Sequence, residues 1–225
     1  MRAVYLFGLK KELLSGRALI VGLIFSLVSF LIANYSQSLA IFIDGNSPAI
    51  DTLFGVYAIL GFFFSSILFS NIITTEFKTQ TFRYVTPYVS RMKIYLAKFL
   101  LMISYFVVIT LIGMIVLFLG RNQFYVPINS LFNLLIFYAY VEAITLLLST
   151  VSANERFSSL LGILISVIAP ILYAVIYFKN NIILDLLDWI LPFKYLESTW
   201  EIGILIVLVI GILYVGEYFF ERKDL

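Results

Sequence analysis

Two carboxylates stand inside apolar stretches of this chain, where an acid is costly and therefore chemically informative. Glu142 falls in the middle of stretch 130–151, and Glu217 near the inner end of stretch 202–220. A charged side chain at the centre of a bilayer costs roughly 2.5–3.5 kcal/mol on insertion scales, so such a residue faces protein or water. For Glu142 the roles left open are lining a substrate path, relaying a proton, pairing across a helix bundle, or packing as a protonated or hydrogen-bonded side chain. Glu217 lies close to Arg222 and Lys223 and reads as interfacial. The remaining reactive repertoire is narrow. The chain has no histidine and no cysteine, which removes disulfides, thiol nucleophiles and histidine-based metal or acid–base sites. Ser–His–Asp and HExxH membrane hydrolases are thereby excluded. No GxxxxGK[ST] loop is present to cradle phosphates, so the chain binds no ATP by itself. No catalytic residue, metal site or nucleic-acid partner is expected.

The elements that position these residues are set by hydrophobicity. The chain is 62% hydrophobic over 225 residues, more than a soluble domain can bury. A membrane-spanning helix needs about 20 mostly apolar residues. Six stretches qualify: 18–43, 52–74, 99–120, 130–151, 157–178 and 202–220. Asn34 to Ser38 interrupt the first, leaving an apolar core from Leu19 to Ala33. The expected fold is a single all-α membrane domain covering 1–225, with no room for a soluble enzyme module. The first span follows Lys10, Lys11 and Arg17 with no small-residue cleavage pattern, and reads as a retained signal anchor.

Lys and Arg remain on the cytoplasmic side of short loops. With six spans, one side carries Arg2, Lys10, Lys11, Arg17, Lys78, Arg83, Arg91, Lys93, Lys98, Arg156, Arg222 and Lys223. The other carries only Arg121, Lys179 and Lys194, beside Asp44, Asp51, Asp185, Asp188, Glu197 and Glu201. Both termini are therefore expected in the cytoplasm.

Between the spans, 1–16 is too polar to cross. Ala3, Leu6, Phe7, Leu13 and Leu14 share a helical face opposite Lys11, Glu12 and Ser15, which predicts an interfacial helix near anionic lipid. Segment 180–200 is too apolar for a solvated loop and too charged for a span. A short pair of helices dipping into the outer leaflet fits it, broken at Pro192, with Trp189 and Trp200 at the interface. The small residues Gly113, Ser149, Gly162 and Ser166 permit close helix packing. No internal repeat stands out.

The segment that invites a partner is 74–98, TTEFKTQTFRYVTPYVSRMKIYLAK. Helix connections usually need only a few residues; this one has about 25, with five basic residues and one acid. Residues 79–85 predict a short amphipathic helix presenting Phe82 and Tyr84. Thr86-Pro87 ends it, because the residue before proline avoids helical geometry, and Ser90 is placed to cap the following span. Aromatic and basic groups held just under a membrane make a docking element; a plain positively charged inside loop is the alternative. Glu155 with Arg156 forms either a second, smaller contact or a solvated turn.

The arrangement Glu76…Thr81…Thr86-Pro87…Ser90-Arg91…Lys98, placed just after the second span, resembles the cytoplasmic signature of ABC-2-type permeases. That signature reads as an acidic residue, a Gly-Thr pair, a Pro-x-Ser-Arg block and a Gly-Lys pair; Gln80 and Ala97 stand here where the two glycines are usual. The six spans, the amphipathic N-terminus and the apolar segment before the last span add to the likeness. The resemblance implies the membrane subunit of a bacterial two-component ABC exporter, in the plasma (inner) membrane. It implies pairing with a second permease copy or a related permease, and a cytoplasmic ATPase subunit that supplies ATP and Mg. It also implies that the loop after span two is a coupling helix seated in that ATPase, with Glu76, Phe82, Arg83, Tyr84 and Arg91 as contacts. An amphipathic or hydrophobic cargo (peptide, bacteriocin, drug or lipid-like) is expected. A non-transporting scaffold or regulatory subunit that docks a cytoplasmic partner is the other reading.

Overall fold

Long apolar stretches leave the backbone no partner but itself, and helices are the result. The computed structural model describes residues 2–13, 15–39, 48–121, 127–178, 188–196 and 201–223. The helices are α1 (Arg2–Leu13), α2 (Gly16–Leu39), α3 (Pro48–Phe69), α4 (Thr74–Lys78), α5 (Thr81–Val85), α6 (Arg91–Arg121), α7 (Ile128–Val151), α8 (Glu155–Phe178) and α9 (Ile202–Arg222), with a 3-10 turn at Pro192–Leu196. No strand occurs among the described residues. Among the described residues, six helical segments are long and apolar enough to cross a membrane.

α7 is the centre of the bundle. It packs against α3, α6, α8, α9 and the 3-10 turn, while α2 lies between α3 and α6. Tyrosine hydroxyls knit the interior. Tyr57 on α3 shares a 2.6 Å hydrogen bond with Ser29 on α2 and donates to the Phe25 carbonyl at 3.0 Å. Tyr138 donates to the Tyr57 carbonyl, and Tyr105 to the Ala18 carbonyl. Glycines make room for such rings, Gly61 for Tyr138 among them. A Cβ on Gly113 would collide with the Tyr57 hydroxyl, and one on Gly216 with the Tyr95 hydroxyl. The expected role of Gly113 and Gly162 as close-packing positions therefore holds, with side chains of other helices against both.

The second span ends earlier than expected, and the third extends beyond its apolar stretch. α3 ends at Phe69, before a turn through Ile73. α6 begins at Arg91, directly after Ser90 where a cap was expected, and runs unbroken for 31 residues, so the apolar stretch 99–120 is the later part of a longer helix. Its first turns carry Ile94, Tyr95, Ala97 and Lys98 inward and Met92 and Lys93 outward. That is an amphipathic pattern, which a search for purely apolar runs reads as loop.

α1 is helical as expected but packs a different face. Tyr5 shares a 2.6 Å hydrogen bond with Ser104, Gly8 abuts Leu101, and Leu9 and Leu13 pack on the core, while Leu6 is exposed. Of the segment before α9, residues 179–187 and 197–200 lie outside the described residues, Trp200 among them. In the described part Pro192 opens a 3-10 turn, where a helix break was expected. This turn is fixed to α7 by Asn133 donating to the Leu196 carbonyl and Tyr140 donating to the Ile190 carbonyl. Lys194 pairs with Asp188 and Glu201 beside it.

Candidate functional site

The helix-turn-helix formed by α4 and α5 is built by short-range backbone bonds. Thr79 N–H bonds to the Thr75 carbonyl, Gln80 N–H to Phe77 and Thr86 N–H to Phe82. The turn is made by Gln80, at φ 55°, the left-handed region. A residue with a Cβ pays strain there that glycine does not. Thr86 ends α5, its hydroxyl returning to the Phe82 carbonyl at 2.8 Å. Pro87, Tyr88 and Ser90 then lead outside the bundle to Arg91, with Tyr88 88% exposed.

Each expected docking residue has a definite place. Arg83 and Tyr84 lie on the open surface, Tyr84 77% exposed. Phe82 does not: it is 2% exposed, and its ring packs against Phe77 and Phe220 at centroid distances of 4.8 and 5.3 Å. This corrects the expectation that α5 presents Phe82 outward. The apolar side of so short a helix turns toward the nearest apolar surface, which here is the end of α9. Glu76 forms an ion pair with Lys98 on α6. Glu155 forms one with Lys78, 3.3 Å long. Arg91 turns back along the bundle, donating to the Glu221 and Lys223 carbonyls.

The end of the bundle that carries this hairpin is held by cations on helix C-termini. The last carbonyls of a helix have no partner within it and carry the negative end of its dipole. Arg91 fills that need for α9. Lys223 fills it for α7, donating to the Thr150 carbonyl at 2.7 Å and to the Ser152 carbonyl at 3.0 Å. Its ammonium also lies 4.8 Å from the Phe77 ring. Burial lowers the pKa of Lys223 from its ordinary value. The base of the hairpin is tied to α7 too, because the Ile73 N–H donates to Ser149 Oγ at 2.9 Å.

These ties differ in strength. Buried aromatic pairs contribute about 0.5–1.5 kcal/mol each beyond the area they bury. A solvent-exposed ion pair contributes roughly 0–1 kcal/mol; the Lys78 side chain is 73% exposed. The aromatic link to α9 therefore outweighs the ionic link to α8. Sequence reading missed Phe220, named Lys98 without pairing it with Glu76, and gave Lys223 no contact. Only the position of Lys223 just beyond an apolar span pointed to a helix-capping cation. Tyr88, the most exposed aromatic here, was also passed over.

Beside the hairpin, a cleft of about 840 Å³ is lined by Phe77, Lys78, Asn154, Glu155, Arg156 and Phe157, among others. It places Glu155 and Arg156 beside the hairpin.

Glu142 lies apart from this end of the molecule. It is fully enclosed on α7, 0% exposed. Both carboxyl oxygens lack a hydrogen-bond partner among the described residues. One turn along α7, Thr145 shares a 3.3 Å hydrogen bond with Ser65 on α3. Glu142 therefore forms no ion pair across the bundle among the described residues. No cluster of three or more metal-ligating residues occurs among them either.

Compared with known proteins, the chain matches no family model, and a search of curated sequences gives no match.

Proposed function

We propose that this chain is the membrane-spanning permease subunit of a bacterial two-component ABC exporter. A separate cytoplasmic ATPase binds ATP and Mg and docks on the α4–α5 hairpin. A second permease copy, or a related one, completes the pathway, and both termini are cytoplasmic. The cargo is amphipathic or hydrophobic.

The observation that carries this reading is the hairpin itself. It follows the second membrane-length helix and holds Arg83, Tyr84 and Tyr88 away from the bundle. At its turn, Gln80 occupies the left-handed conformation where the resembled signature has glycine. A sequence departure thus falls where the backbone geometry explains the usual residue. A hairpin tied by its base to α7 and by its aromatic face to α9 is also suited to passing a push into the bundle. Such a push works only if the partner binds two states of the bundle unequally.

The test is affinity purification of the tagged protein from native membranes. An ATPase is expected in the complex, and Arg83→Glu with Tyr84→Ala is expected to reduce its recovery at least tenfold. Both side chains are exposed, and an unchanged thermal midpoint of the double variant separates lost docking from lost fold. A purified protein with no ATPase sinks the exporter reading; full recovery with the double variant removes the hairpin as the docking site. Orientation has its own check. Because the chain lacks cysteine, Tyr88→Cys gives a single label site, expected to react with an impermeant maleimide only in inside-out vesicles. Labelling from outside intact cells overturns the account.

A further inference from the structure

We propose that Phe220 and Lys223 are positioning residues that make the α4–α5 hairpin, the end of α9 and the end of α7 move as one piece. A displacement of the hairpin is thereby delivered to α7, the helix that carries Glu142. This deepens the permease reading and rests on it for its functional consequence, though not for its structural part.

Three sets of contacts meet at these two residues. Phe220 is 1% exposed and touches both halves of the hairpin, its ring centroid 5.8 Å from Phe77 on α4 and 5.3 Å from Phe82 on α5. It also lies 5.7 Å from Tyr95 on α6. Lys223 bonds two carbonyls at the end of α7 while facing Phe77. Arg91 holds the Glu221 and Lys223 carbonyls, and so fixes the backbone from which the Lys223 side chain reaches. One lysine thus bridges α7 and the hairpin, and one phenylalanine joins the hairpin to α9.

The competing links are weaker or placed elsewhere. Lys78–Glu155 reaches α8 but is largely exposed, so water and salt screen it. Glu76–Lys98 reaches α6 from the first turn of α4 and leaves α5 untouched. The Ile73–Ser149 bond anchors the hairpin's base to α7 but not its tip. The Phe220–Lys223 pair engages both small helices together with α6, α7 and α9.

The structural arm uses the full chain in lipid nanodiscs, spin-labelled at Tyr84→Cys on α5 and Asn154→Cys in the α7–α8 link, both exposed. One narrow distance distribution is expected. Phe220→Ala and Lys223→Met are expected to broaden it at least twofold, whereas Lys223→Arg and Lys78→Met leave it narrow. Phe220→Leu, which keeps apolar volume, gives an intermediate width and guards against simple unfolding. An unchanged width in Phe220→Ala and Lys223→Met overturns the proposal, as does equal broadening by Lys78→Met. The functional arm uses the co-purified ATPase. Lys223→Met is expected to retain it within twofold while permease-dependent stimulation of ATP hydrolysis falls at least tenfold, with recovery in Lys223→Arg. Loss of the ATPase itself in Lys223→Met overturns transmission in favour of a docking role. If the unaltered protein binds no ATPase, the permease reading fails, while the spin-label arm still decides the clasp.

Discussion

Lys98 on α6 pairs with Glu76 in the first turn of α4, with side chains only 9% and 20% exposed. The pair joins a membrane-length helix to the hairpin in a partly enclosed place. Removing one partner leaves the other charge partly buried and alone. Glu76→Gln or Lys98→Met is therefore expected to lower stability by about 1–3 kcal/mol, read as a drop in thermal midpoint in detergent. The combined Glu76→Gln/Lys98→Met variant is expected to lose less than the sum of the two. Strict additivity in this double-mutant cycle would show that the two groups do not interact.

Gln80 sets the opposite expectation. Its left-handed backbone is strained for any residue with a Cβ. Gln80→Gly relieves that strain but adds freedom to the unfolded chain, which offsets part of the gain. A net stabilisation of about 0.5–1 kcal/mol is expected. A lower thermal midpoint in Gln80→Gly would refute the turn geometry.

Gly113 faces the hydroxyl of Tyr57, which is already held by Ser29 and the Phe25 carbonyl. Adding one methyl group at Gly113 overfills this site. Gly113→Ala is expected to cost about 1–3 kcal/mol. Tyr57→Phe removes the atom that the new methyl meets, so it is expected to cost less in the Gly113→Ala background than in the original chain. Equal costs in both backgrounds would mean that the two residues do not touch.

Glu142 separates stability from function. A buried polar group without a partner costs about 1–3 kcal/mol relative to a satisfied or apolar one. Glu142→Met keeps the side-chain length and removes the acid, and is expected to raise the thermal midpoint. If the proposed transport passes α7, Glu142→Gln and Glu142→Ala both impair it more than they impair assembly. Transport at the original rate in both variants would take Glu142 off the path, and a destabilised Glu142→Met would reveal a partner for the carboxyl group.

The parts of this fold that could be read from sequence are those decided by local composition. Twenty apolar residues in a row specify a helix of membrane length whatever surrounds them, and among the described residues each of the six stretches contains such a helix. The start of α6 was legible from Ser90, a capping residue just before Arg91, although Arg91, Lys93 and Lys98 keep its first turns from reading as an apolar run. The burial of Phe82 was not legible. A five-residue helix has no face of its own to bury, and the surface that receives Phe82 comes from Phe220, far along the chain. The charged residues divided in the same way. Arg83 stays outside, as its type suggests, while Arg91 and Lys223 are claimed by carbonyls that only the folded bundle brings near them.

The helices are enclosed unequally: 56% of the apolar window of α7 is buried within the chain, against 22% in α8 and α9. Truncating an outward leucine of α8, such as Leu160 or Leu164, exchanges one oily neighbour for another, since acyl chains flow into the gap. The same truncation at Leu134 or Leu146 of α7 leaves a hole that no solvent fills. Tolerance to substitution in this molecule therefore follows the angle around each helix rather than depth in the bilayer, and α7 is the helix least free to drift.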